Sequence, residues 1–294
     1  MSLQLIPPFG LFLLTFIFVF PFSKAREKDS IRVVTYNVWC GFTKKKERKK
    51  DWSKYVKSLN CDIIALQELN EYTPEKLAKE AKSWGHSYSA LLKEGGFPTG
   101  ITSKFPLRNL KKEMAGYHHG MLSCEAGGIQ IYVIHLHPGH WEIRHQEVDL
   151  LLDTLKVYQS DIPVLLVGDF NTFSHRDESY YNQTTDLIPF FRRLDLRWNS
   201  NRNLRDDKLD YSHLRKFEEA GYKDLIAERR KRFFGTFPTK LRPEEDNGPS
   251  RRLDYFFASE VLSEKCTKAE YLVNKKTDLL SDHYPAIAEF KLSQ

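Results

Sequence analysis

The sequence predicts a layered α/β domain built on sheets. Three observations carry that prediction. Strands and helices alternate in the first half, strands dominate the second, and 294 residues at 41% hydrophobic and 29% charged suffice for one large core. "IRVVTYNV" (Ile31 to Val38) is β-branched and bounded by charge, which makes it the first strand. After the lysine run of "KKKERKK", read as a solvated face, Trp52, Tyr55, Val56 and Leu59 recur at helical spacing. "DIIALQE" (Asp62 to Glu68) is a second strand, and Pro74 opens a helix to about Trp84. Short strands follow at Tyr88 to Leu92, Thr99 to Ser103 and Ile129 to Leu136. A helix over Trp141 to Tyr158 carries Val148, Leu151, Leu152 and Leu155 on one side, and "IPVLLVGDF" is another buried strand. Residues 174–252 read as polar loop with one helix near His213 to Ala220; "LDYFFAS", "AEYLV" and "YPAIAEFKL" close the domain. No repeat, low-complexity linker or domain boundary interrupts it.

The first 25 residues stand apart. "FGLFLLTFIFVFPF" (Phe9 to Phe22) is almost wholly apolar, and small residues follow at Ser23 and Ala25. That is the pattern of a secretory leader cut after Ala25, although no Lys or Arg precedes the apolar run. The run is shorter than the roughly 20 residues a bilayer requires. The expected organisation is therefore a leader over 1–25 and one folded domain over 26–294, secreted or periplasmic. In an oxidising compartment Cys40, Cys61, Cys124 and Cys266 could pair or stay free. Cys40 with Cys61 is excluded if the first two strands run the same way. Seven residues from Cys61 to Glu68, at about 3.3 Å each, then separate the two by roughly 20 Å.

The basic excess is local. Arg192 to Arg252 holds 17 Lys/Arg against 11 Asp/Glu, while the rest of the mature chain is nearly balanced. Arg229, Arg230 and Arg232, with Trp198, Tyr211, Phe233, Phe234 and Phe237 interleaved in the segment, are candidates for a single-stranded nucleic-acid groove. The plainer reading is a solvated charged face over a local aromatic core.

Strand ends share a feature. Asn37 ends the first strand, Glu68 the second, His135 falls in "IYVIHL", and Asp169 and Asn171 follow "VLLVG". Asp254 opens "LDYFF", and Asp282 and His283 precede the last strand. One such ending is a turn; six suggest convergence on a pocket. Glu68, Asp169, Asp254 and Asp282 are hard oxygen ligands suited to Mg²⁺ or Mn²⁺. Without a cation, four gathered carboxylates would raise one another's pKa. The histidines of "HLHPGHWEIRH" lack the paired helical spacing of a zinc site, so His137 and His140 are read as rim residues. His118 and His119 in "GYHHG" are read as exposed, and Tyr180 and Tyr181 as loop packing.

"TYNVW", "DIIALQE", "IHL", "VGDFN", "RLDYFF" and "SDHYP", in this order, resemble the endonuclease/exonuclease/phosphatase family over about Ile31 to Leu292. The resemblance implies a four-layer α/β sandwich, two central mixed β-sheets flanked by helices, with the site at one edge. It implies a metal held by Glu68 with Asn37 and Asp282, and a cofactor of Mg²⁺ or Mn²⁺. It implies Asp169 as the residue acting on the attacking water, with Asn171 beside it. His283, oriented by Asp254, and His135 would contact phosphoryl oxygens. Some members carry an acid two residues after the first-strand Asn, where this chain has Trp39. The expected function is an exported metal-dependent phosphoester hydrolase, nuclease-like, acting as a monomer without an obligate protein partner. A sphingomyelinase-like or phosphomonoesterase activity on the same site stays open, as does a catalytically silent binder of nucleic acid or an anionic surface.

Overall fold

The computed structural model describes residues 30–157, 161–183, 186–242 and 247–291; the expected leader lies outside them. Two six-stranded sheets form the centre. The first comprises β1 (Ile31–Asn37), β2 (Ile63–Gln67), β3 (Tyr88–Leu91), β4 (Gly100–Ser103), β11 (Cys266–Tyr271) and β12 (Ala286–Phe290), in the order β11-β12-β1-β2-β4-β3. The second comprises β5 (Arg108–Glu113), β6 (Met121–Ala126), β7 (Ile129–His135), β8 (Val164–Asp169), β9 (Lys223–Asp224) and β10 (Asp254–Ala258), in the order β5-β6-β7-β8-β10-β9. Each sheet has a single parallel pair at its centre, β1 with β2 and β7 with β8; every other pairing is antiparallel.

A parallel pair needs a crossover, and helices supply both. α1 (Arg48–Leu59) joins β1 to β2, and α3 (Trp141–Leu155) joins β7 to β8. α2 (Pro74–Ser83) lies beside α1; Thr73 caps it by accepting from the Lys76 N–H, with Pro74 at its first position. The four layers follow from strands buried on both faces. Val33, Ile63 and Ala65 meet Ile131, Val133, Leu165 and Val167 between the sheets. One residue along, Val34, Tyr36, Ile64 and Leu66 turn outward onto Trp52, Val56, Leu77 and Ala81 of α1 and α2. Tyr132, Ile134, Leu166 and Phe257 turn outward onto Val148, Leu151 and Leu155 of α3, with Leu214 and Phe217 of α6 (Ser212–Glu219). The sandwich that the family resemblance implied is the observed architecture.

The parallel pairs decide where function can sit. Asn37 is level with Gln67, and His135 with Asp169, so four strand ends open on one edge of the sandwich. Val33 is level with Ile63, which puts Cys61 at the far edge from Cys40; all four cysteines are free thiols.

Residues 174–252 depart from the loop reading. Besides α6 they form α4 (Glu178–Gln183) and α5 (Leu187–Arg197), packed in their own aromatic cluster of Phe173, Tyr181, Phe190 and Phe191. The apolar spacing of α5 was present in the sequence, but Pro189 and the flanking arginines obscured it. α7 (Glu260–Glu264) and the edge strand β5 also escaped; every residue of β5 is exposed, so it has no apolar alternation to read. Among the described residues no helix is long and apolar enough to cross a membrane.

Candidate active site

A cleft of about 300 Å³ opens at the edge where the parallel strands end, and Glu68, His135, Asp169, Asn171, Asp282 and His283 all line it. Asp169 stands at its centre. Its Oδ1 accepts from the Asn171 N–H at 2.9 Å and its Oδ2 from Asn37 Nδ2 at 3.1 Å. His283 Nε2 and His135 Nε2 lie 3.8 and 3.9 Å from the same Oδ2. Burial pushes the Asp169 carboxyl up to about 7, against the opposing pull of His283. Burial alone would depress His283, but the carboxylates of Asp254 and Asp169 outweigh it and lift the imidazole to about 10. His283 Nδ1 is held at 2.8 Å by Asp254 Oδ2. Burial and the charge of His283 depress His135 to about 3, leaving it neutral.

The backbone is bent to make this edge. Trp39, Cys40, Phe42, Glu68 and Asn171 all take positive φ, between 48° and 68°, a conformation that costs a side-chain-bearing residue free energy. Two glycines are obligatory beside them. A Cβ on Gly168 (φ 145°) would stand 2.1 Å from the Ile134 carbonyl oxygen, so only glycine lets β8 lie this close to β7. A Cβ on Gly41 would meet the Asn70 carbonyl oxygen at 2.0 Å. The glycine of "VGDFN" therefore belongs to the site as much as its aspartate does.

Glu68 accepts from Asn37 Nδ2 at 3.1 Å and from the Cys40 N–H at 2.8 Å. Asp282 is raised by burial, and Glu68 adds to the rise, so the two carboxylates share a field. Their hard oxygens fit a divalent cation of the Mg²⁺ or Mn²⁺ type. Asn37 presents its amide nitrogen to Glu68 and Asp169. The Trp39 N–H can only donate, and it donates to Asn37 Oδ1 at 3.0 Å, which fixes the amide with nitrogen toward Glu68 and Asp169. Asn37 orients the carboxylates. Asp169, Asp254 and His283 bring ligand atoms within 4.8 Å of one another, as do His145, Asp210 and His213. The Asp254–His283 hydrogen bond ties two members of the first trio together.

The structure does not bring Arg229, Arg230 and Arg232 to the cleft. Arg229 donates to the backbone carbonyls of Leu225, Ser263 and Cys266, and Arg230 pairs with Asp177. Arg232 lies over Phe234. Arg252, also in the basic segment, is fully buried between Asp177 and Asp224 at 2.7 and 2.6 Å. Much of the basic excess is thus structural. Tyr180 stacks on Phe233 at 3.6 Å, as loop packing requires.

Sequence reading missed four contributors. His119 is buried, lines the cleft and stacks on His135 with ring centres 4.1 Å apart; only His118 of that pair is exposed. Glu147 holds both histidine loops, accepting from the His118 N–H and the His137 N–H at 2.8 Å each. Arg48, inside the supposedly solvated lysine run, is buried and donates to the carbonyls of Val38, Trp39 and Leu280. The strap 235–242 is stitched to the Asp282 loop, Thr239 N donating to Asp282 O at 3.0 Å and Tyr284 N to Thr236 O at 2.8 Å. It delivers Phe237, one of the aromatic groove candidates, 4.8 Å from the His283 ring, and Arg242, which sequence reading passed over. Nothing in the local pattern of "TKLR" marks Arg242 as part of a site.

The family model described as Endonuclease/Exonuclease/phosphatase family matches residues 34–283. No curated protein matches the chain in sequence. Among solved structures, an AP endonuclease from Archaeoglobus fulgidus is similar at 17% identity and TM-score 0.63, covering 89% of this chain and 100% of its own. A 3′-5′ exonuclease from Neisseria meningitidis is similar at 13% identity and TM-score 0.64, again covering 89% and 100%. A 3′ phosphatase from Neisseria, bound to a product DNA hairpin, is similar at 12% identity and TM-score 0.62, covering 88% and 99%. At these identities the likeness is one of fold.

Proposed function

The chain belongs to the endonuclease/exonuclease/phosphatase family, and from that premise we propose that it is an exported, Mg²⁺-dependent phosphodiesterase acting on nucleic acid. The observation that carries the phosphoester chemistry is Asp169, fixed by Asn37 and Asn171 and flanked by two imidazoles of opposite charge state. A carboxylate poised near neutral pH is matched to taking a proton from water. The water oxygen attacks phosphorus as Asp169 accepts its proton, and the ester oxygen departs. His283, charged and held by Asp254, donates from Nε2 to the phosphoryl oxygens as negative charge builds there. His135, neutral, adds an uncharged hydrogen bond. A divalent ion held by Glu68 and Asp282 would supply further positive charge to the phosphate when bound.

Nucleic acid as substrate draws support from the fold neighbour solved with a DNA hairpin and from the aromatic walls Trp39, Phe97 and Phe237 beside Arg242. Export draws support from the apolar run over Phe9 to Phe22 and the small residues after it. The test is a substrate panel with Mg²⁺ or with chelator: a single-stranded oligonucleotide, sphingomyelin and p-nitrophenyl phosphate. Metal-dependent cleavage of the oligonucleotide is expected. Cleavage of sphingomyelin or the monoester alone would overturn the nucleic-acid reading, and no hydrolysis of any ester would favour a silent binder.

A further inference from the structure

Arg242 occupies an unusual place. Its Nη1 donates to Asp282 Oδ2 at 3.1 Å, and its guanidinium carbon lies 5.2 Å from the Trp39 ring centre and 6.0 Å from that of Phe237. It lines the same cleft as Asp169 and His283. Among the described residues the other oxygen of Asp282 has only a long contact to Ser281 Oγ, 3.5 Å. One carboxylate therefore offers one oxygen to a guanidinium and the other to a metal.

The setting is rigid. Thr239 and Thr236 bind the strap to the backbone of Asp282 and Tyr284, so Arg242 and Asp282 move as a unit. Trp39 is fixed from below, its carbonyl accepting from buried Arg48. The Trp39 indole, two residues past the end of β1, presents its face to the guanidinium.

We propose that Arg242 is a substrate-binding residue of this site, its guanidinium gripping a non-bridging phosphate oxygen while it stays paired with Asp282. The inference rests on the phosphoesterase reading above and deepens it. A guanidinium suits the task because its planar fork can serve a carboxylate and a phosphate together, whereas an ammonium presents a point charge. Substrates are then bound partly without metal.

³¹P measurement of inorganic phosphate binding in chelator tests this on wild type, Arg242→Gln and Arg242→Lys. Phosphate binding to metal-free protein should weaken at least tenfold in Arg242→Gln and recover in part in Arg242→Lys. The Arg242 side chain is 35% exposed, so both variants should melt close to wild type. Arg242→Gln holding phosphate as tightly as wild type would overturn the grip. If phosphate binding behaves as expected while no phosphoester is hydrolysed, the enzymatic reading fails and the assignment of Arg242 stands.

Discussion

His283 and Asp254 share a 2.8 Å hydrogen bond between Nδ1 and Oδ2, both side chains buried, although they lie on opposite sheets of the sandwich. Asp254 opens β10 level with Asp169, while His283 precedes β12. The contact pins the two sheets together at the cleft and leaves His283 Nε2 toward Asp169.

Asp254→Asn should shift the alkaline limb of the pH–rate profile to lower pH. The imidazole stands at about 10 against an ordinary 6.5; burial pulls it down, and the Asp254 charge is the largest opposing influence. Removing that charge lets the proton leave earlier as pH rises. Because the folded-state pKa is the higher one, the pair stabilises the fold fully below about 6.5 and loses that contribution as pH climbs toward 10. Unfolding midpoints of wild type should thus fall across that window, and those of Asp254→Asn should fall less. Superimposable pH profiles for the two proteins would refute the pairing.

Glu68→Gln should abolish most activity and weaken Mn²⁺ binding. The amide keeps the shape but removes the charge, and it sets an N–H₂ against Asn37 Nδ2 or the Cys40 N–H, both donors. A loss of about 3–5 kcal/mol of barrier stabilisation corresponds to roughly 10²- to 10⁴-fold in rate. Turnover and Mn²⁺ affinity check it together; wild-type values of either would dismiss Glu68 as a ligand.

Gly168→Ala should destabilise the fold by about 2–4 kcal/mol or prevent it from forming. The added Cβ meets backbone, the Ile134 carbonyl, and cannot be relieved by a rotamer change. Urea unfolding is the measurement. A variant as stable as wild type would mean that β8 can shift away from β7 at little cost.

Arg48→Met should lower stability by about 2–4 kcal/mol and also weaken Mn²⁺ binding, despite the residue's lying in a lysine-rich run. The side chain leaves the carbonyls of Val38, Trp39 and Leu280 without their donor, and these sit next to the Asn37 and Asp282 loops. Destabilisation with unchanged metal affinity would show that Arg48 braces the fold alone.

The strand ends at Asn37, Glu68, His135, Asp169 and His283 were legible because they combine two local signals, an apolar run and a polar stop. Such signals survive in one dimension because a strand buried on both faces must be apolar until it leaves the core. The Cys40–Cys61 separation was legible for the same reason, since strand direction and rise set it. The basic segment misled because charge counts do not say what each arginine faces; Arg252 faces two buried aspartates.

By itself, then, the sequence determined the buried strands that carry the site, that they end in carboxylates, amides and imidazoles, and through those motifs which family the chain joins. Tertiary structure alone decided that Arg242 and Phe237 reach the cleft, that His119 stacks on His135, and that Asn37 turns its nitrogen inward. Each of these depends on contacts the chain's local pattern does not encode: Asn37 with Asp169 across the two sheets, Thr239 with Asp282 between distant segments, and His119 with His135 where β6 and β7 pair within one sheet. Strand pairing and the packing of one sheet on the other decide which loops meet at the shared edge, and no periodicity along the chain says which those are.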